Sequence, residues 1–121
     1  MKVSIKTTNM EASESVSNYV NKKIESISKL ISKKDTGALC EVEVGRTTNH
    51  HKNGDVFRAE IKIKTQGEVL YASAEKDDMY AAIDQAKDEI KEELLKLKTK
   101  KNTLLKKRGA KVKNTLKNIK E

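Results

Sequence analysis

Apolar residues recur along this chain with two periods, two and about 3.6, and the switches between them predict six elements. Val3 and Ile5 alternate with Lys2, Ser4 and Lys6 between Met1 and Thr7, the pattern of a half-buried strand. Ser13 is a candidate N-cap, with Glu14 in the first turn where the helix dipole favours an acid. Val16, Val20, Ile24, Ile27 and Ile31 follow at helical steps and form one apolar face. That helix is expected to stop near Lys33, because Asp35-Thr36-Gly37 is turn chemistry.

Cys40, Val42 and Val44 alternate with Glu41 and Glu43 in a second strand, and Phe57, Ala59, Ile61 and Ile63 alternate with charged residues in a third. The polar loop Thr47 to Asp55 joins them, with Asn53-Gly54 as its turn signal. Thr65-Gln66-Gly67-Glu68 reverses the chain into a fourth strand, Val69 to Ala74, with Leu70, Ala72 and Ala74 facing inward. The last helix takes Asp77 or Asp78 as its cap and carries a stripe of Met79, Ile83, Ala86, Ile90, Leu94 and Leu97, running past Lys100. Gly109 is the only later breaker; Val112, Leu116 and Ile119 beyond it would fall within about 60° of arc if helical.

This order predicts an α+β sandwich, β-α-β-β-β-α, with one four-stranded sheet, two helices packed on one face and a polar, solvated opposite face. A parallel crossover between the first two strands should be right-handed. Residues 1–101 form the expected domain. Residues 102–121 form a basic C-terminal extension, expected to be partly helical or disordered, since so short an isolated helix is marginal in water.

Charge sharpens that division. The chain has 121 residues, 26 Lys plus Arg against 18 Asp plus Glu, and a net charge of +8. From Lys96 onward eleven basic residues face one acid, Glu121, so the basicity is concentrated at the C-terminal end. Such a run repels itself unless a polyanion is near, and nucleic acid is the favoured partner. An anionic membrane surface is the rival, because Leu105, Val112, Leu116 and Ile119 could line one face of a basic helix. No window approaches the roughly 18 consecutive apolar residues of a membrane span, and no signal-peptide stretch opens the chain, which points to a cytoplasmic protein.

Catalysis has little to build on. Cys40 is the single cysteine and is expected in the core, where a thiol is inert; with His50 and His51 alone beside it, no zinc site can be assembled. No cofactor and no small-molecule substrate are expected. Tyr19, Tyr71 and Tyr80 are scattered along the chain and do not make a stacking platform. Lys22, Lys29 and Lys33 share one outward face of the first helix, about 160 to 180° from the apolar stripe, with Lys23 on the flank. On the last helix Lys87, Lys91 and Lys98 fall on one flank with Tyr80, while Asp88, Glu89, Glu92 and Glu93 take the back and the opposite flank. Each run is compatible with a merely solvated face, but segregation of sign is more informative than number.

Two stretches, HHKNGDVFRAEIKIK (His50 to Lys64) and DMYAAIDQAKDEI (Asp78 to Ile90), resemble the ribosome hibernation promoting factor family, also called ribosome-associated translation inhibitors. The opening NMEAS (Asn9 to Ser13) resembles that family's entry into its first helix, and the likeness covers roughly residues 1–100. It implies the strand order already read from the pattern. It further implies binding to the small ribosomal subunit and its rRNA, in the channel of messenger and transfer RNA, by a factor that is a monomer off the ribosome and silences it in starved or stationary cells.

The candidate rRNA contacts that the likeness implies are Lys23, Lys29, His50, His51, Lys52, Arg58, Lys96 and Lys98; Lys22, Lys100 and Lys101 complete the basic set. Where the family often has cations on the last helix, this chain has Glu89, Glu92 and Leu95, which shifts the expected contact to Lys87 and Lys91. Longer members add a domain that pairs ribosomes, and residues after Lys101 are not expected to fold as one. A generic duplex-RNA-binding module is the chief alternative; membrane-surface or partner binding through the tail is another.

Overall fold

The computed structural model describes residues 1–47 and 56–116, with side chains described as far as residue 100. The elements are β1 (Lys2–Thr8), α1 (Glu14–Ser28), β2 (Leu39–Thr47), β3 (Val56–Thr65), β4 (Glu68–Lys76) and α2 (Met79–Leu116). They form one four-stranded sheet in the order β1-β2-β3-β4, with β1 parallel to β2 and the other neighbours antiparallel. A parallel pair needs a crossover connection, and α1 supplies it.

Ser13 caps α1 as its sequence position suggests, its hydroxyl accepting the Val16 N–H at 3.1 Å. The helix ends at Ser28, short of the expected Lys33. The Leu30 and Ile31 N–H groups donate to the carbonyls of Ile27 and Ser28, three residues back, which tightens and closes the last turn. The hydroxyls of Ser26 and Ser28 also donate to the carbonyls of Lys23 and Glu25, the local competition that makes serine a poor interior helix residue. Ile31 therefore reaches the core from a turn, Lys29 is the C-cap, and Lys33 stands beyond the helix. The expected single helical face of Lys22, Lys29 and Lys33 does not form.

Cross-strand partners share a face, so Val42 opposite Ile61 and Ile61 opposite Ala72 extend one apolar surface across the sheet. Val16, Val20, Ile24 and Ile27 of α1 and Ala82, Ile83, Ala86, Ile90 and Leu94 of α2 close over it in a single core, with both helices on that face. Phe57 has the parity of Ala59 but is only half-buried at the strand's end, where the Arg46 guanidinium lies 5.6 Å from its ring centre.

Residues Thr65 and Glu68 pair directly, with Gln66 (φ 52°) and Gly67 (φ 76°) between them in the doubly left-handed form that matches strand twist. Asp35 anchors this turn from the α1–β2 connection, one carboxylate oxygen accepting both the Gln66 N–H (2.9 Å) and the Thr65 hydroxyl (2.5 Å). Asp78 caps α2, its carboxylate accepting the Tyr80 N–H at 3.1 Å. At 1.5 Å per residue the 38 residues of α2 span about 57 Å, and the helix passes through Gly109 into the basic extension. The last core residue it contributes, among those described, is Leu94. Residues 48–55, with the Asn53-Gly54 turn, and residues 117–121, with Ile119, lie outside the described residues.

Candidate nucleic-acid interface

The two helices meet through a polar cluster. The Tyr19 hydroxyl of α1 donates to Oδ1 of Asp84 on α2 at 2.6 Å, and Lys23 Nζ lies 3.2 Å from the same oxygen. Tyr80 packs edge-on to Tyr19, with ring centres 4.7 Å apart, and Lys23 Nζ sits 5.1 Å from the Tyr19 ring centre. Tyr19 and Lys23, like Tyr80 and Asp84, are four residues apart, so each helix presents its pair on one face.

That contact orients the lysines of α2. Tyr80, Asp84, Lys87, Lys91 and Lys98 lie within about 60° of one another at 100° per residue, so the flank that touches α1 is the flank that carries these cations. On α1, Lys22 is about 60° round from Tyr19 toward solvent, and Lys29 follows at the helix end. The groove between the two helices is thus bordered by Lys23 of α1 and by the lysine flank of α2, while Lys22 and Lys29 stand on the outward side of α1. Lys22, Lys29, Lys91 and Lys98 make no ion pair among the described residues, whereas Lys87 pairs with Asp88 at 2.9 Å and Lys96 with Glu93 at 3.6 Å. The sequence reading of the tyrosines as scattered holds for Tyr71 alone; folding brings Tyr19 and Tyr80 together from 61 positions apart.

Electrostatics follow the same contacts. Burial pushes the Asp84 carboxyl up, but the Tyr19 hydroxyl and the Lys23 ammonium more than offset this and hold it below the usual carboxylate range. The hydrogen bond to Asp84 raises Tyr19 above an ordinary phenol, and the same partner raises Lys23.

Arg58 lies on the opposite side of the sheet, away from the groove. Its Nε donates to Glu60 (2.6 Å), Nη1 to Glu75 (3.1 Å) and Nη2 to the Tyr71 hydroxyl (3.3 Å). Those contacts, Glu60 first, raise its already high pKa. The cross-strand rows of this open face mix the two signs, with Lys6, Glu43 and Glu60 in one and Glu41 beside Lys62 in the next. Lys100 is exposed near the end of the described side chains; the side chain of Lys101 lies outside them, as do His50, His51 and Lys52 entirely. Cys40 is buried on β2, and burial together with the nearby Glu41 pushes its thiol up to about 11. Among the described residues no three His, Cys, Asp or Glu side chains converge as metal ligands.

A sheet of this topology with a lysine-bearing groove between its two helices defines a small α+β module. Residues 3–102 match the model of the Sigma 54 modulation protein / S30EA ribosomal protein family, and the chain belongs to that family. It is 30% identical over 100 residues to a ribosome hibernation promotion factor of Picosynechococcus, covering 83% of this chain and 50% of that protein. Over 93 residues it is 29% identical to the protein of the same name from Deinococcus radiodurans, covering 76% and 46%. The chain thus spans about half the length of these curated relatives. The N-terminal domain of Thermus thermophilus Protein Y superposes with a TM-score of 0.65 at 23% identity, over 80% of this chain and 99% of that one. A ribosomal subunit interface protein from Coxiella burnetii gives 0.62 at 20% identity, over 82% and 99%. Both likenesses establish the fold: a four-stranded mixed sheet with two helices in the order β-α-β-β-β-α.

Proposed function

We propose that this protein is a ribosome hibernation factor, not an enzyme, that binds the small ribosomal subunit in the channel of messenger and transfer RNA and inhibits translation in resting cells. The observation that carries the reading is that Lys22 and Lys29 on the outward side of α1, and Lys91 and Lys98 on the α2 flank that meets α1, make no ion pair among the described residues. A polyanion neutralises such a surface with release of its counterions, which favours binding at low salt. Family membership and the names of its relatives supply the ribosome as the source of that polyanion. Lys96, Lys98, Lys100 and Lys101 continue the cationic run along α2, and residues 102–121 add seven further cations that strengthen association. His50, His51 and Lys52 are proposed as further donors to phosphate.

The test is co-sedimentation with purified small subunits over a salt series. Binding should weaken with a slope of several units in log K against log salt, at roughly 0.7 to 0.9 per phosphate contact. A slope near zero overturns the reading. Equal affinity for bare duplex RNA of arbitrary sequence would replace it with a generic duplex-binding module, and binding to anionic vesicles without subunit binding would replace it with the membrane-surface reading. The protein should also sediment alone as a monomer.

A further inference from the structure

We propose that Asp84 is a built-in counter-charge of the groove, holding Lys23 away from phosphate and so limiting how tightly the groove grips RNA. This rests on the reading of the groove as an RNA-binding surface and assigns its one anchored acid a role.

Among the described residues Asp84 is the one α2 carboxylate that forms a hydrogen bond or ion pair with α1. At about 100° per residue Glu89, Glu92 and Glu93 lie about 80 to 180° round from it, and Asp88 about 40° round on the solvent side. Asp88 does reach Lys87, but from solvent, with its side chain 69% exposed. Asp84 differs in being tied down, because the Tyr19 hydroxyl holds the same oxygen that Lys23 approaches. Swinging aside when a phosphate arrives would cost the carboxylate its hydrogen bond to Tyr19. Lys23 must either leave it or bring the phosphate up against a fixed negative charge, and both oppose binding.

The exchange remains reversible, since the Lys23 and Asp84 side chains are 30% and 45% exposed and water screens the pair. A clamp with one cation withheld releases its partner more readily than one with all cations free. Removing the negative charge while keeping an oxygen for Tyr19 should then convert Lys23 into a phosphate ligand.

Asp84→Asn does this with little change in shape. Affinity for small subunits at moderate salt should rise about two- to fivefold, the range of an exposed ion pair. The salt slope should steepen by roughly 0.7 to 0.9, one additional phosphate contact. Asp84→Glu should keep the wild-type slope, and Lys23→Gln in the Asp84→Asn background should abolish the steepening, because the gain runs through that ammonium. Asp84→Ser, which also offers Tyr19 an oxygen, repeats the test if the Asn variant melts early. The proposal is overturned if a natively melting Asp84→Asn or Asp84→Ser variant binds with wild-type affinity and slope, or if its gain survives Lys23→Gln. Failure of the underlying reading looks different: wild-type protein would then not bind small subunits in a salt-dependent way at all.

Discussion

Gly45 of β2 stands opposite Thr8 in the parallel register with β1, and a Cβ placed on it would lie 2.9 Å from the Thr8 carbonyl oxygen and 3.1 Å from Thr8 Cβ. The obstacle is backbone, which cannot rotate aside. Just beyond, Asn9 takes a left-handed conformation (φ 57°) and its amide donates to the Arg46 carbonyl at 3.3 Å, so the end of β1 is pinned at this point. Gly45→Ala should force β1 outward and lower stability by about 1–3 kcal/mol, the range of overpacking. Thermal unfolding measures it, and an unchanged melting temperature would contradict the close approach.

The β3–β4 turn should respond to two changes in opposite directions. Asp35→Ala removes the acceptor of two hydrogen bonds and should cost about 1–3 kcal/mol. Gln66→Asn replaces a residue ill suited to positive φ with one that tolerates it and should raise stability by about 0.5 kcal/mol. Denaturant midpoints of both variants decide the matter. Equal shifts of the same sign would refute the turn geometry.

Cys40 makes stability fall in alkali. Its folded-state pKa is raised to about 11 from an ordinary 9.0, so between those values the unfolded chain loses a proton that the folded chain keeps. The raised folded value means the contribution is full below pH 9 and lost as pH rises toward 11. The loss should total about 3 kcal/mol, on the order of 1.4 per unit of pKa. Urea unfolding from pH 8 to pH 11 should show a decline that Cys40→Val reduces, and the native thiol should resist alkylation at pH 8.

Charge reversal should separate the two faces of the molecule. Lys22→Glu combined with Lys91→Glu should leave the melting temperature within a few degrees, because neither side chain is in the core, yet weaken binding to small subunits and flatten its salt slope. Arg58→Gln should do the reverse: it loses contacts to Glu60, Glu75 and Tyr71 and lowers stability modestly, while the salt slope stays close to wild type. Co-sedimentation and melting of the same preparations test both. An Arg58 variant that loses most of its salt dependence would place an RNA contact on the open sheet face.

What the sequence determined by itself is what local periodicity carries. The stripe Val16, Val20, Ile24, Ile27, the alternation of Cys40, Val42 and Val44, and the cap at Ser13 depend on neighbours within one turn or one strand, and all stand in the structure. Segregation of the α2 charges was legible for the same reason: a helix fixes the angle between residues of one segment. The direction in which that flank points was not. Only packing of α1 beside α2 joins Tyr19 to Asp84, 65 residues away, and sets the α2 lysine flank along a groove with Lys23. The early end of α1 at Ser28 is made by backbone hydrogen bonding, the Leu30 and Ile31 N–H groups turning to carbonyls three residues back, which hydrophobic spacing does not register. Likewise nothing near Arg58 in sequence except Glu60 reveals its clamp, since Tyr71 and Glu75 reach it through the register of β3 against β4. Local periodicity names the elements and their faces; which faces meet is decided by long-range burial, because that is where the free energy of burying one shared core is gained.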